Sequence, residues 1–206
     1  MSAAVSAADV KALRERTGAG VLDCRAALAE AGGDLDKAIE ILRVKGQASA
    51  AKRSGRATSE GTVASYIHSG GRVGVLVEVR CETDFVARGE DFQDFAREVA
   101  LHVAGAPSLP EFISAEEITE EARQAERSVH EAKAREEGKP DEVIGRIVDG
   151  QLSKWSKEVA LLEQPHINAD RYEGKTIEEL RAELAAKTGE NIQIARFARF
   201  AVGEDE

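Results

Sequence analysis

Aromatic side chains are scarce in this sequence. Six Phe, two Tyr and one Trp make up 4% of its 206 residues. Any core must therefore be assembled from Ala, Val, Leu and Ile, and an alanine-rich, aromatic-poor chain leans towards helix. Cysteine is scarcer still. Cys24 and Cys81 stand at a spacing that fits neither a zinc site nor a redox pair. They read as small buried hydrophobes with free thiols, as expected in a reducing cytosol. No apolar run approaches the ~20 residues of a membrane-spanning helix, and the first residues lack the hydrophobic stretch of a secretory leader. Basic residues are outnumbered, 28 Lys and Arg against 38 Asp and Glu, for a net charge of -10. That excess of acid argues against general nucleic-acid affinity, which depends on neutralising phosphates. The expectation is a cytoplasmic protein that neither enters a membrane nor binds nucleic acid directly.

Signatures of chemistry are missing too. Gly138-Lys139 runs into Pro140 without the earlier glycine of a phosphate-binding loop. Gly18 and Gly20 form only a G-x-G between two helical patterns. His68, His102, His130 and His166 are scattered without metal-ligand spacing. No serine occupies a nucleophile-elbow context. No catalytic residue, metal site or cofactor is assigned, and the chain does not read as an enzyme.

What is present is well punctuated. Ser6 and Asp9 form a capping box, with Val5 and Val10 placed as its hydrophobic staple. Gly18 ends the helix that follows. A second helix runs from about Val21 to Ala31 and stops at Gly32-Gly33. Asp34 caps a third, in which Leu35, Ala38, Ile39 and Leu42 recur at helical spacing. Helices this short are not stable singly, so residues 1–54 read as a compact three-helix module. From Gly46 to Gly61 bulky apolar residues disappear and the chain reads as a linker, helical at most at its start. Lys45, Lys52, Arg53 and Arg56 make it locally basic. A solvated linker and an RNA contact are its two readings.

Residues 55–206 read as an α+β core. Thr62 to His68 is strand-like, Gly70-Gly71 is a two-residue turn, and Arg72 to Cys81 is the returning strand. Val73, Val75, Val77, Val79 and Cys81 fall on one face of that strand, with Leu76, Glu78 and Arg80 on the other. A helix follows with Phe92, Phe95, Ala96, Val99, Leu101 and Val103 at its apolar positions. Residues 114–163 read as an antiparallel helical hairpin broken at Gly138-Lys139-Pro140. Ile118, Ala122, Ala125, Val129 and Ala132 form the stripe of its first arm; Ile144, Val148, Leu152, Trp155, Val159 and Leu162 form that of its second. A last helix, about Ile177 to Lys187, and a strand from Asn191 to Val202 complete an antiparallel-sheet layout.

One short segment, Thr83-Asp84-Phe85-Val86, lies between strand and helix. It has two readings. In the first, Thr83 or Asp84 caps the helix and Phe85 packs beneath it. In the second, the segment is an exposed tip whose ring fills a partner's pocket while the carboxylate disturbs polar groups beyond.

The run Arg14-Glu15-Arg16-Thr17-Gly18-Ala19-Gly20-Val21-Leu22-Asp23-Cys24-Arg25-Ala26-Ala27-Leu28 resembles the N-terminal signature of the elongation factor Ts family. These are the guanine-nucleotide exchange factors of elongation factor Tu. Glu82-Thr83-Asp84-Phe85-Val86-Ala87-Arg88 is similar to the family's second signature. Gly138-Lys139-Pro140, the segment Leu161 to Ile167, and Arg199-Phe200-Ala201-Val202-Gly203-Glu204 match its C-terminal part, so the resemblance spans essentially the whole chain. It implies that Thr83, Asp84, Phe85 and Val86 enter the GTPase domain of GDP-bound elongation factor Tu near its magnesium and promote GDP release. It implies a ubiquitin-associated-like N-terminal module that docks through Arg14, Gly18, Ala19, Gly20 and Val21, and a core that holds a second domain of the partner. Longer members repeat the core subdomain. This chain carries it once, so a homodimer is expected. Two other classes compete with this reading: an adaptor using the helical module alone, and a ribosome-associated RNA binder using the basic linker.

Overall fold

A computed structural model describes residues 5–204 of the chain. Its elements begin where the capping residues put them. The Ser6 hydroxyl accepts the Asp9 N–H and starts α1 (Ala7–Thr17), and Gly18, at φ 68°, ends it by donating to the Arg14 carbonyl. Then come α2 (Val21–Glu30) and α3 (Leu35–Arg53), the latter opened by the Asp34 carboxylate, which accepts from Asp36 and Lys37 N–H. β1 (Glu60–Ile67) and β2 (Val73–Cys81) lead into the single turn α4 (Asp84–Ala87) and the long α5 (Glu90–Gly105). α6 (Glu120–Glu136) and α7 (Asp141–Val159) follow, then the short α8 (Ala169–Tyr172), α9 (Ile177–Thr188) and β3 (Gln193–Ala201). The strands form one antiparallel sheet in the order β1-β2-β3, so the fold is α+β.

The chain divides into two compact units. The first comprises the described residues up to Ala64, with Val77–Glu98 and Glu179–Ala195. In it, α1, α2 and α3 pack on one another around Leu13, Cys24, Ala27, Leu28 and Ala38, with Val10, Leu35, Ile39 and Leu42 against them. Their packing supplies the stability that α1 and α2, at about three turns each, lack in isolation. α3 does not give way to a linker at Gly46. It continues to Arg53 with Ala50 buried. Gly46 faces Ala186 of α9 closely enough that an added Cβ would sit 3.5 Å from the alanine methyl. The Arg43 guanidinium meets Glu179 at 2.5 Å. The linker-like composition of residues 46–53 is thus a small-residue helical face seated on another helix.

In the same unit Gly61 lies inside β1. The sequence pattern starts that strand at Thr62, two residues after its first residue, Glu60. A Cβ at Gly61 would fall 2.2 Å from the Val79 carbonyl oxygen, so the absence of a side chain lets the two strands close up. On β2 the predicted alternation holds: Val75, Val77, Val79 and Cys81 are buried, and Leu76 is on the outer face.

The second unit comprises Ser65–Leu76, Val99–Glu178 and the described residues from Arg196 on. The β1–β2 connection within it is wider than the two-residue turn expected. His68 N–H bonds the Val73 carbonyl and Gly71 N–H bonds that of His68, which leaves Ser69, Gly70, Gly71 and Arg72 as the loop. Gly70 and Gly71 both take positive φ there, 89° and 69°. α6 and α7 pack as a helical hairpin turned at Gly138, φ 71°. The second arm's stripe is as expected, with Ile144, Val148 and Val159 buried.

The first arm's stripe holds only at its start, where Ile118 is buried and Ala122 half-buried. Ala125, Val129 and Ala132 face solvent, and Ala134 is the buried residue of α6. Polar groups help join this arm to its partner, beside the small apolar cluster of Ala134, Ile144, Val148 and Leu152. Arg127 pairs with Asp149 at 2.9 Å, and Arg123 donates to the Ser156 hydroxyl and, at 2.6 Å, to the Ala115 carbonyl. Counting apolar residues locates the wrong face of such a helix. The second unit also leaves Ile67, Leu76, Phe200 and Val202 exposed around a shallow groove of about 470 Å³ on the outer face of the sheet.

Candidate functional site

The segment between β2 and α5 is built by its own short-range hydrogen bonds. Thr83 sits in extended geometry (φ -127°, ψ 153°) and its hydroxyl accepts the Val86 N–H at 3.4 Å, the N-cap bond of α4. The Ala87 and Arg88 N–H groups bond the carbonyls of Thr83 and Asp84. Gly89 then lets the chain turn into α5, where an added Cβ would crowd the Val86 carbonyl at 3.1 Å. The capping half of the first sequence reading is therefore present. The packing half is not: Val86 and Ala87 turn inward and are buried, while Phe85 is 84% exposed. Asp84 is exposed as well, with Arg88 one turn on at 3.1 Å. An ion pair so open to water contributes little to stability, so neither Asp84 nor Phe85 is held in place by the fold for its own sake.

Beneath this turn lies a set of carboxylates that the sequence reading passed over. Glu190 follows Gly189, which ends α9 at φ 76° by donating to the Ala185 carbonyl. One Glu190 oxygen accepts the backbone N–H groups of Glu82 (3.0 Å) and Thr83 (3.1 Å), and the other accepts the Thr83 hydroxyl at 2.6 Å. Glu82 returns the contact by accepting the Asn191 N–H at 2.6 Å, with Arg56 at 3.3 Å. The Asn191 N–H, with the Arg56 guanidinium behind it, holds the Glu82 carboxyl below its usual range. Asn191, itself buried, donates its side-chain amide to the carbonyls of Ser54 and Arg56. The Cys81 thiol lies beside this cluster and donates to the Thr83 carbonyl. Burial, with the nearby Glu190 charge, pushes it up to about 11, so it stays a thiol at neutral pH. Nothing local in the sequence links positions 82 and 190. The one cue was the Gly189 helix stop.

The second predicted contact region is the α1–α2 turn. Arg14 is exposed, and the Ala19 N–H rests on the Thr17 hydroxyl. Gly20 takes the N-cap position of α2, leaving Val21 and Leu22 substantially exposed. Gly18 approaches Lys187, whose ammonium pairs with Asp91 in the first turn of α5 at 2.7 Å. Turn and tip belong to the same unit.

Among the described residues no group of His, Cys, Asp and Glu is arranged to hold a metal, and no helix is long and apolar enough to cross a membrane. His102 and His166, distant in sequence, do meet, with ring centroids 5.5 Å apart in the second unit. Both are buried. His102 is fixed by the Gln164 amide at Nε2 (2.8 Å) and accepts the Ile167 N–H at Nδ1 (3.0 Å). That is a structural pin and not a ligand set.

Comparison with known proteins gives one consistent result. The family described as Elongation factor TS matches residues 35–172. The elongation factor Ts of Caldanaerobacter subterraneus subsp. tengcongensis is 54% identical over 200 residues, covering 97% of this chain and 98% of its own. That of Moorella thermoacetica is 53% identical over 201 residues, covering 97% and 96%. That of Desulforamulus reducens is 50% identical over 202 residues, covering 98% and 91%.

Proposed function

The chain belongs to the elongation factor Ts family, and from that premise we propose that it binds GDP-bound elongation factor Tu in the cytosol and drives exchange of GDP for GTP. The observation that carries this reading is Phe85: a large ring 84% exposed on a hydrogen-bonded turn, beside the exposed Asp84 carboxylate. Burial of such a ring in a partner's pocket is worth ~1.5–3 kcal/mol, enough to offset part of the cost of opening a nucleotide site. Thr83 and Val86 set the turn, Phe85 acts as the wedge, and Asp84 disturbs the magnesium and phosphate environment of the partner.

Linkage supplies the rest of the mechanism. A protein that weakens GDP binding is itself bound more weakly by the GDP-loaded partner, by the same factor. GDP leaves from a ternary complex, GTP refills the site and the factor departs. No bond is made or broken in these steps, so the chain acts as an exchange factor and not as an enzyme. The α1–α3 module, taken as ubiquitin-associated-like, docks on a separate helix of the GTPase domain through Arg14, Gly18, Ala19, Gly20 and Val21, and the core holds a second domain. The test is release of fluorescent GDP from purified elongation factor Tu with and without this chain. Stimulated release that Phe85→Ala slows at least about tenfold supports the reading; release at the unstimulated rate with wild-type chain removes it.

A further inference from the structure

The exposed tip has to be held from behind, since its own outer residues contribute little. The hydrogen bonds that hold it converge on one side chain. Glu190 takes both backbone N–H groups at the end of β2 and the Thr83 hydroxyl. A carboxylate can only accept, so the hydroxyl hydrogen is committed to Glu190 and the lone pairs of that oxygen are left to cap Val86 N–H. Three further bonds lock the same joint from the other side, Asn191 N–H to Glu82 and the Asn191 amide to the carbonyls of Ser54 and Arg56. The chain leaving α3, the chain leaving β2 and the chain leaving α9 are thus tied at one point, directly under the turn that carries Phe85.

We propose that Glu190 is a positioning residue for exchange, which presets the orientation of the Thr83–Val86 turn before any partner arrives. The inference rests on the exchange reading above. Glu190 touches neither nucleotide nor magnesium in this scheme; it acts through Thr83. Misplacing a reacting or wedging group by about an ångström can cost up to ~100-fold in rate, so loss of the clamp slows GDP release without removing the surfaces that bind the partner. The shape of the contact also predicts which substitution is tolerated. Glutamine at this position can take both amides through its carbonyl oxygen and donate to the hydroxyl through its NH₂. Alanine can do neither.

The experiment compares wild type, Glu190→Ala, Glu190→Gln, Phe85→Ala and the Glu190→Ala/Phe85→Ala double variant. Two quantities are measured. The first is amide hydrogen exchange of Thr83 and Val86 in the free chain. The second is the saturated rate of fluorescent-GDP release from elongation factor Tu, together with the concentration of chain that half-saturates it. Glu190→Ala is expected to expose the two amides about tenfold and slow saturated release about tenfold, with half-saturation changed less than about threefold. Glu190→Gln should recover most of both. In the Phe85→Ala background the alanine change should slow release no further.

A Glu190→Ala chain with wild-type amide protection and release rate overturns the proposal. So does an equal loss in the Phe85→Ala background, which marks general damage to the fold. A glutamine variant as poor as alanine overturns it too, because it assigns the effect to charge and not to geometry. If Glu190→Ala does not fold, Thr83→Val carries the test. It removes the hydroxyl alone, and wild-type release from it overturns the proposal. Failure of the wild-type chain to accelerate release removes the exchange reading instead, while the amide measurement still judges the clamp.

Discussion

Phe85 and Val86 are adjacent and have opposite surroundings, one in water and the other under the turn. Replacing Phe85 with Ala removes no core contact, so the melting transition should stay within about 0.5 kcal/mol of wild type while stimulated GDP release falls at least about tenfold. Loss of cooperative melting in this variant would return the residue to the core and withdraw its role as wedge. His102 behaves in the opposite way, as a group used only by the fold. Its Nδ1 accepts a backbone N–H, and the Gln164 amide beside its Nε2 has its own NH₂ committed to the Ser108 and Glu158 carbonyls. The ring is therefore neutral, with its hydrogen on Nε2. Burial first, and the neighbouring His166 as well, lower its pKa below the ordinary 6.5, although the Gln164 contact opposes them. A base with a depressed folded pKa binds more protons when unfolded. Its contribution to stability is therefore complete above about pH 6.5 and is lost as the pH falls through the folded value. The His102 ring signals in an NMR titration should stay at their neutral positions as the pH passes below 6.5. A ring that titrates at its ordinary value would show that the pin is not closed.

At the scale of elements, the hairpin β1–β2 depends on a residue that looks like linker. Gly61 closes on the Val79 carbonyl, and no side chain fits at 2.2 Å. Gly61→Ala should therefore push the strands apart at a cost of about 2 kcal/mol, read as a lowered urea midpoint with an unchanged slope. A variant as stable as wild type would mean that the strand pair relaxes freely there. The helical hairpin teaches a related point. Its second arm was legible because Ile144 and Val148 are apolar and buried. The pairing face of its first arm was not, because Arg123 and Arg127 reach across to serine and aspartate where an apolar stripe was sought. Periodicity detects hydrophobic faces and is silent about faces joined by long polar side chains.

For the whole molecule, the outer face of the sheet raises the question of assembly. Phe200 and Ile67 are each 66% exposed, with Leu76 and Val202 beside them, and β1 and β3 are both edge strands. Apolar patches of this kind mark interaction surfaces. We expect the isolated chain to be a homodimer paired through this face, so that Phe200→Asp should yield monomers. Light scattering under reducing conditions decides the matter, and a mass near 22.1 kDa at every dilution would exclude the dimer. The proposed boundary after residue 54 makes a separate prediction. Residues 55–206 alone should melt cooperatively but at a lower midpoint, because Arg43–Glu179, the Gly46 seat on α9 and the Ser54 carbonyl contact go with the deleted part. Non-cooperative melting of the fragment would contradict the boundary.

The sequence by itself determined the starts of the first three helices and the stops of the first two, the buried side of β2, the α5 core face and the family. Each of these is written in neighbouring residues: a cap, a glycine stop, an alternation or a contiguous signature. Tertiary structure alone decided which of Phe85 and Val86 faces water, that residues 46–53 are a packed helix, that His102 meets His166, and that Glu190 supports Thr83. These depend on contacts between residues tens to more than a hundred positions apart. A lone Glu between a helix and a strand carries no local mark of the amides it will accept, because those amides reach it only when β2 and α9 have packed.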